Sequence, residues 1–229
     1  MPRYSYVLFD ADETLFDFNR AENRAIRQTL SAHGLPADSE VVARYHTINQ
    51  ELWDRMSRGE VTREVLVLER FAVLLRELGR SGDPETLNRF YVARLGEGTD
   101  LLPGAEDLCR ALAPHCTLAI VTNGVVQSQR NRFSRSSLCG VIPHLFISGE
   151  LGYYKPQPEY FDAVCAALNI QDRRQAVIVG DSLNADILGG RNAGIDTVWY
   201  NPAGLPRDPA VPPTWEVPNY TELERILLH

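Results

Sequence analysis

Short apolar runs recur along the chain with helical stretches between them. Runs of this kind are typical of strands in a parallel sheet, because both faces of such strands are buried. The predicted strands are Tyr4–Phe9, Thr117–Val121, Leu145–Ile147, Ala176–Val179 and Thr197–Tyr200, with a last strand near Trp215. The helices predicted around them are Ala105–Leu112, Gln127–Arg135, Pro158–Leu168, Leu183–Ala193 and Thr221–Leu228. This alternation predicts βαβ units, and therefore an α/β fold with a Rossmann-like, doubly wound parallel sheet.

The connection between the first two strands has a different pattern. About a hundred residues there show no strand signal and are punctuated by helix start and stop residues. The helices predicted in this segment are Ala21–His33, Ser39–Arg58, Thr62–Leu78 and one from Asp83 to about Leu95. We therefore predict two domains: an α/β core of residues 1–16 and 99–229, and an all-helical domain, 17–98, inserted after the first strand.

Composition and charge exclude several classes of protein. The 229 residues are 44% hydrophobic and 23% charged, as in a globular protein with a substantial core. The net charge of −7 argues against a nucleic-acid polymer as partner, and the apolar runs are too short to span a membrane. The four cysteines have no metal-type spacing, and the N-terminal residues lack the layout of a secretory signal. We therefore expect a cytoplasmic protein. The sequence does not distinguish a monomer from a homodimer.

Polar residues that can carry chemistry follow four of the predicted strands. In open parallel sheets, ligands bind outside the carboxyl ends of the strands, where the strand order reverses. These residues should therefore converge on one crevice. They are Asp10 and Asp12 after the first strand, Thr122 and Asn123 after the second, Lys155 beyond the third, and Asp181 and Asp186 after the fourth.

The carboxylates in this group predict metal-assisted phosphoryl transfer. Asp10, Asp12 and Asp181 would repel one another without a hard cation, and Mg²⁺ takes such oxygen ligands together with substrate phosphate. A carboxylate beside that ion can attack phosphorus and form an aspartyl-phosphate, a role that fits Asp10. Asp12 could protonate the leaving oxygen and later activate the hydrolytic water.

The remaining polar residues could bind the phosphoryl group. Thr122 and the Asn123 amide, expected at a helix start, would donate to phosphoryl oxygens. Lys155 is the only lysine among 23 basic residues, the others being arginine. A compact ammonium differs from a guanidinium in shape and hydration, so a single retained lysine indicates a position that needs a point charge. Lys155 would hold Asp10 and the transferred phosphoryl group.

Four segments, taken together and in order, resemble the motifs of the haloacid dehalogenase (HAD) superfamily. They are Asp10-Ala11-Asp12-Glu13-Thr14, Thr122-Asn123, Lys155-Pro156, and Gly180-Asp181 with Asp186. The helical insertion resembles the C1 cap of that superfamily, and the first and last motifs are most similar to those of pyrimidine 5′-nucleotidases.

The resemblance implies a role for each acidic residue. Asp10 would be the nucleophile and Asp12 the general acid/base. Mg²⁺ would be bound by Asp10, by the backbone carbonyl of Asp12 and by Asp181, with Asp186 in an indirect supporting role. Most superfamily members have glycine where this chain has Glu13, a departure that fits the common sugar-phosphatase branches less well.

We therefore expect a Mg²⁺-dependent phosphomonoesterase that acts on small phosphorylated metabolites, first of all nucleoside 5′-monophosphates. The alternatives are a sugar-phosphate phosphatase, a phosphosugar mutase, a haloacid dehalogenase or a non-catalytic protein that binds phosphometabolites. Asp12 disfavours the dehalogenase, because a halide leaving group needs no proton. A complete set of Asp10, Asp12, Lys155 and Asp181 disfavours a simple binding protein, which needs no general acid.

Overall fold

The computed structural model, which describes residues 2–229, contains a six-stranded parallel sheet in the order β3-β2-β1-β4-β5-β6. The strands are β1 (Tyr6–Phe9), β2 (Thr117–Thr122), β3 (His144–Ile147), β4 (Ala176–Gly180), β5 (Asp196–Tyr200) and β6 (Trp215–Val217). All neighbouring pairs in this sheet are parallel. The predicted α/β fold class is therefore confirmed, and each strand lies within two residues of its predicted position.

The strand order reverses at the centre of the sheet. The chain passes from β1 outward to β2 and β3, then crosses back to β4 on the other side of β1. Phe9, the last residue of β1, lies opposite Ile120 in β2 and Val179 in β4. Asp10 therefore emerges at the switch point, where open parallel sheets form their crevice.

Helices account for most of the remaining described residues. They are α1 (Phe18–Ala32), α2 (Ser39–Ser57), α3 (Arg63–Glu77), α4 (Pro84–Leu95), α5 (Ala105–Leu112), α6 (Val126–Arg135), α7 (Ser148–Leu151), α8 (Pro158–Ala167), α9 (Leu188–Asn192) and α10 (Tyr220–Leu228). Within residues 2–229, each helix is too short or too polar to cross a lipid bilayer.

The chain forms two compact units. One ends at Phe18 and resumes at Thr99–His229, and the other is Asn19–Gly98. In the first unit, helices cover both faces of the sheet. Val7 and Phe9 of β1 pack in the layer that includes α5 and α10, while Leu8 packs in the layer that includes α8. Alternate residues of β1 thus serve two cores, which explains its continuous apolar sequence.

The second unit is all-helical and contains a buried polar cluster. Glu22 accepts hydrogen bonds from His46 Nδ1 at 2.5 Å, Asn49 Nδ2 at 2.7 Å and Tyr91 Oη at 3.1 Å. The Arg70 guanidinium donates to Asn49 Oδ1 at 3.0 Å and lies 4.6 Å from the centre of the Tyr91 ring. These pairings satisfy charged groups that would otherwise be costly to bury.

The predicted helix Leu183–Ala193 is the main difference in the first unit. The segment consists of a π-helical turn, Leu183–Ile187, followed by α9. In α9, a Cβ on Gly190 would lie 2.4 Å from Ile178 Cγ2 and 2.7 Å from Thr197 Cγ2. Because Gly190 has no side chain, α9 can pack directly on β4 and β5. Helical periodicity alone does not predict the wider, π-helical turn that precedes α9.

Candidate active site

Lys155 lies at the centre of the polar residues around β1. Its Nζ donates to Asp10 Oδ1 at 2.5 Å, to Asp186 Oδ1 at 2.6 Å and to the Val121 carbonyl oxygen at 2.9 Å. An ammonium group has three protons to donate, so these contacts use all of them. The side chain is only 2% exposed. The single lysine of the chain is therefore a buried cation that joins two carboxylates.

Asn123 fixes the backbone at Lys155. Its Nδ2 donates to the Lys155 carbonyl at 2.8 Å, and its Oδ1 accepts from the Lys155 N–H at 2.9 Å. The predicted phosphate-binding pair also precedes the helix rather than starting it, because α6 begins at Val126. Thr122 is buried at the end of β2, where its hydroxyl accepts from the Gly124 N–H at 3.0 Å. The sequence pattern does not predict this contact between the Asn123 side chain and the Lys155 backbone.

Three carboxylates meet beside this lysine. Asp10, Asp181 and Asp186 each offer an oxygen, and these oxygens lie within 4.8 Å of one another. The Asp10 N–H donates to the Val179 carbonyl at 2.8 Å, which continues the pairing of β1 with β4. The Asp181 carbonyl accepts from Trp199 Nε1 at 2.8 Å. The sheet therefore fixes the backbone of both residues.

The π-helical turn directs Asp186 back onto β4. Asp186 Oδ2 accepts from the Ser182 N–H at 3.1 Å, while Oδ1 accepts from Lys155. A Cβ on Gly180 would lie 2.2 Å from Asp186 Cγ, so this carboxylate needs a glycine beneath it. Asp186 therefore accepts from the same Nζ as Asp10, and it is arranged to orient Lys155 toward Asp10.

Burial and neighbouring negative charges shift the pKa values of the residues in this cluster. Burial, together with the carboxylates of Asp186 and Asp12, raises the pKa of Asp10 to about 7, against the opposing attraction of Lys155. Burial and the charges of Asp10 and Asp186 also raise the pKa of Asp181 well above its usual range. Burial lowers the pKa of Lys155, but the two carboxylates it contacts outweigh that effect, so the pKa is raised and the side chain is an ammonium.

This donor set fits a hard divalent cation. The cluster offers three carboxylate oxygens within 4.8 Å of one another, and a single ammonium, that of Lys155, contacts two of these carboxylates. Mg²⁺ prefers such ligands and usually binds through one or two carboxylates, with water and substrate phosphate completing its shell. Asp12 is outside this group of carboxylate oxygens, so its predicted contribution would come from its backbone carbonyl.

The Asp12 side chain is held by α6 instead. Gln129 Nε2 donates to Asp12 Oδ2 at 2.6 Å, and Arg132 Nη1 forms an ion pair with Asp12 Oδ1. The sequence predicts a helix that includes Gln129 and Arg132, but it indicates no function for either residue. Their spacing of three residues shows that they share a helix face, but only the fold shows that this face meets Asp12.

The loop after Asp12 includes an unusual backbone conformation. Glu13 has a φ of +57°, in the left-handed region that favours glycine. Its N–H donates to the Phe16 carbonyl at 2.9 Å, and the Leu15 and Phe16 N–H groups both donate to the Ala11 carbonyl. The loop therefore turns tightly enough to require this conformation. This backbone conformation explains why glycine is common at this position in the family that the sequence resembles.

A lysine-paired aspartate beside two further carboxylates, at the switch point of a parallel sheet, is typical of α/β enzymes with a carboxylate-based active site. Comparison with known proteins supports this class. A sequence model of the haloacid dehalogenase-like hydrolases matches residues 4–194. The chain therefore belongs to the haloacid dehalogenase-like hydrolase family.

Three relatives match almost the whole chain. The HAD-hydrolase YfnB of Bacillus subtilis is 40% identical over 227 residues, covering 99% of this chain and 97% of YfnB. The pyrimidine 5′-nucleotidase PynA of Streptococcus pneumoniae is 35% identical, covering 96% and 93% of the two chains. The pyrimidine 5′-nucleotidase YjjG of Escherichia coli is 32% identical, covering 98% of each.

Comparison with solved structures agrees with the family assignment. A crystal structure of YfnB bound to magnesium superposes with a TM-score of 0.94 at 40% identity, covering 98% of this chain and 99% of that one.

Proposed function

We propose that this hydrolase is a Mg²⁺-dependent phosphomonoesterase that acts on nucleoside 5′-monophosphates. The observation that carries the proposal is the buried Asp10, bonded to Lys155 and adjacent to Asp181 at the switch point of the sheet. A carboxylate held in this way can act as a nucleophile toward phosphorus once its charge is balanced. The nucleotide preference is inferred from two relatives, PynA and YjjG, which are pyrimidine 5′-nucleotidases.

The chemistry takes place in two steps on the chain's own side chains. An Asp10 oxygen forms a bond to phosphorus while the bond from phosphorus to the leaving oxygen breaks, and Asp12 gives that oxygen a proton. Water then attacks the aspartyl-phosphate, with Asp12 as the base that takes a proton from the water. Cleavage of the phosphorus bond to the Asp10 oxygen returns Asp10 as a carboxylate and releases inorganic phosphate.

The other side chains bind and orient the phosphoryl group. Asp10, the Asp12 carbonyl and Asp181 would hold Mg²⁺, with Asp186 supporting them through Lys155. When bound, the ion would supply positive charge that reduces repulsion between the Asp10 carboxylate and the anionic substrate. Lys155 provides a second positive charge at the same place.

Thr122 and Asn123 complete the proposed phosphate site. Both lie at the carboxyl end of β2, next to the strand that leads into Asp10. With the Asn123 side chain bound to Lys155, its backbone N–H is the donor proposed for a phosphoryl oxygen, together with the Thr122 hydroxyl. This arrangement leaves the leaving group outside the phosphate site, so the base and the sugar must be recognised elsewhere.

A phosphate-release screen tests the proposal. The panel would contain pyrimidine and purine nucleoside 5′-monophosphates and a set of sugar phosphates, each assayed in Mg²⁺ and in chelator. We expect release from nucleotides that stops in chelator, returns with Mg²⁺ and is absent in Asp10→Asn. Preferential release from sugar phosphates would contradict the substrate assignment, and transfer of phosphate to a second hydroxyl of the substrate would indicate a mutase. Binding of phosphate esters without turnover would contradict the enzyme itself.

A further inference from the structure

Both carboxylate oxygens of Asp12 are held by side chains from one face of α6. Gln129 Nε2 donates to Oδ2 at 2.6 Å, and Arg132 Nη1 is paired with Oδ1. A carboxylate with one donor can still rotate about its χ2 bond. Two donors on different oxygens, both from one rigid helix, fix the plane of the carboxyl group as well as its position.

The surroundings of Arg132 keep it in place. Its side chain is fully buried, and its guanidinium carbon lies 4.9 Å from the centre of the Phe16 ring and 5.8 Å from that of Phe18. A buried cation needs a close anionic partner, because the loss of its hydration is otherwise uncompensated. The ion pair with Asp12 is therefore a defined contact between α6 and the loop after β1. Exposed ion pairs, by contrast, exchange readily with water.

Gln129 reaches Asp12 only because its neighbour has no side chain. Gln129 is 3% exposed, and a Cβ on Gly124 would lie 2.2 Å from its Nε2, 2.7 Å from its Cγ and 2.8 Å from its Cδ. These distances include the middle of the side chain, so any residue larger than glycine would displace all of Gln129. Gly124, in the loop between β2 and α6, thereby allows the contact of Gln129 with Asp12.

We propose that Gln129 and Arg132 are positioning residues that direct the Asp12 carboxyl group toward the leaving oxygen. The inference rests on the proposed phosphomonoesterase function. In the first step, the Asp10 oxygen bonds to phosphorus and the bond from phosphorus to the leaving oxygen breaks. The proton that passes to the leaving oxygen is the one that Asp12 took from the hydrolytic water in the preceding turnover. Gln129 and Arg132 touch neither phosphorus nor the leaving oxygen in this scheme, and their effect passes through Asp12.

A positioning role has a consequence that a structural role lacks. An alkoxide, such as the 5′-oxygen of a nucleoside, needs a proton in order to depart, whereas nitrophenolate departs without one. Misdirecting Asp12 should therefore slow the cleavage of nucleotides much more than that of nitrophenyl phosphate. The ratio kcat/KM isolates this effect, because it reports on steps up to the departure of the leaving group, before the aspartyl-phosphate is hydrolysed.

The test compares Gln129→Met, Arg132→Lys and Arg132→Met with the unmodified full-length chain in Mg²⁺. Each protein is assayed on p-nitrophenyl phosphate and on the nucleoside 5′-monophosphate that it hydrolyses best. Arg130→Met is the matched control, because Arg130 lies on the same helix but is exposed and paired with Glu150. Circular dichroism and thermal melting show whether each variant is folded. A further variant, Gly124→Ala, displaces the Gln129 side chain while leaving Gln129 and Arg132 themselves unchanged.

We expect kcat/KM for the nucleotide to fall about 10²-fold in Gln129→Met and Arg132→Met, the loss associated with a misplaced catalytic group. The value for nitrophenyl phosphate should change by a few-fold at most. Gly124→Ala should reproduce Gln129→Met, and Arg132→Lys should keep more of the nucleotide activity than Arg132→Met. If Arg132→Met does not fold, Gln129→Met and Gly124→Ala together still decide the question.

Two results would overturn the positioning role. Equal losses on both substrates would show that the two side chains support the fold in general, and faster nucleotide cleavage would show that they restrain Asp12 instead. Either result leaves the proposed function in place, because the unmodified chain would still hydrolyse nucleotides. If that chain releases no phosphate from any ester in the panel, the proposed function fails and the positioning role fails with it.

Discussion

Replacing the single lysine tests the electrostatic basis of the site. In Lys155→Met the side chain keeps a similar length but loses its charge and its three hydrogen bonds. Asp10 and Asp186, which accept from Nζ at 2.5 and 2.6 Å, would then face each other without their shared cation. Removing one partner of a buried ion pair costs about 3–5 kcal/mol. We expect the upper part of that range, because one substitution leaves two carboxylates unpaired.

Urea unfolding in chelator measures this loss. With a typical urea dependence of about 1–3 kcal/mol per molar for the free energy of unfolding, the midpoint should fall by at least about 1 M. Arg130→Met is the control. This substitution removes the ion pair between Arg130 and Glu150, in which the arginine side chain is 58% exposed. The free energy of unfolding should therefore fall by no more than about 1 kcal/mol. Added Mg²⁺ should recover part of the stability of Lys155→Met, because the ion can neutralise the same carboxylates.

A second measurement uses the fact that the chain has one lysine. A sample labelled with ¹⁵N-lysine gives a single ζ-nitrogen signal, whose titration reports Lys155 alone. Because the pKa of Lys155 is raised, this signal should remain that of an ammonium at an alkaline pH where an exposed lysine deprotonates. The reasoning is refuted if the signal titrates as an ordinary lysine and Lys155→Met unfolds at the same urea concentration as Arg130→Met.

Three further predictions concern the carboxylates. Asp10→Asn should lower the rate of phosphate release by at least about 10⁴-fold while leaving the circular dichroism spectrum unchanged; residual activity near the original level would exclude Asp10 as the nucleophile. The pKa values of Asp10, raised to about 7, and of Asp181 mean that the metal-free folded chain holds protons that the unfolded chain has released. Stability in chelator should therefore fall as the pH rises from about 4 through 7, and Mg²⁺ should raise Tm more at pH 8 than at pH 5; an equal rise at both pH values would contradict this. Gly180→Ala should displace Asp186, destabilise the chain by about 1–3 kcal/mol and weaken Mg²⁺ binding about 10–100-fold. Unchanged affinity in a calorimetric titration would exclude a contribution of Asp186 to metal binding.

Most of the architecture could be predicted from local patterns. The strands were found because a parallel strand covered on both faces is a continuous apolar run, and β1, β2 and β4 are such runs. Two helix starts are predicted from a polar side chain that caps the first turn: Thr62 accepts from the Val65 N–H, and Asp83 accepts from the Glu85 and Thr86 N–H groups. These are signals between near neighbours, which a sequence displays directly.

The π-helical turn before α9 was not predictable in the same way. Its wide winding is fixed by Ser182, whose hydroxyl accepts from the Ala185 N–H, and by Asp186, which must reach both Lys155 and the Ser182 N–H. Lys155 comes from a different crossover of the sheet. The periodicity of residues 183–193 therefore predicts a helix but does not reveal the long-range contact that widens it.

The sequence by itself determined the fold class and which polar side chains would gather at one edge of the sheet, because the carboxyl ends of parallel strands converge. Only the tertiary structure decided how those side chains are partnered. It showed Lys155 as the link between Asp10 and Asp186, and Gln129 and Arg132 as the groups that hold Asp12. The physical reason is that a hydrogen bond requires a short distance and a favourable direction between its two groups. Residues 31 to 145 positions apart reach that geometry only when the sheet and its helices are packed.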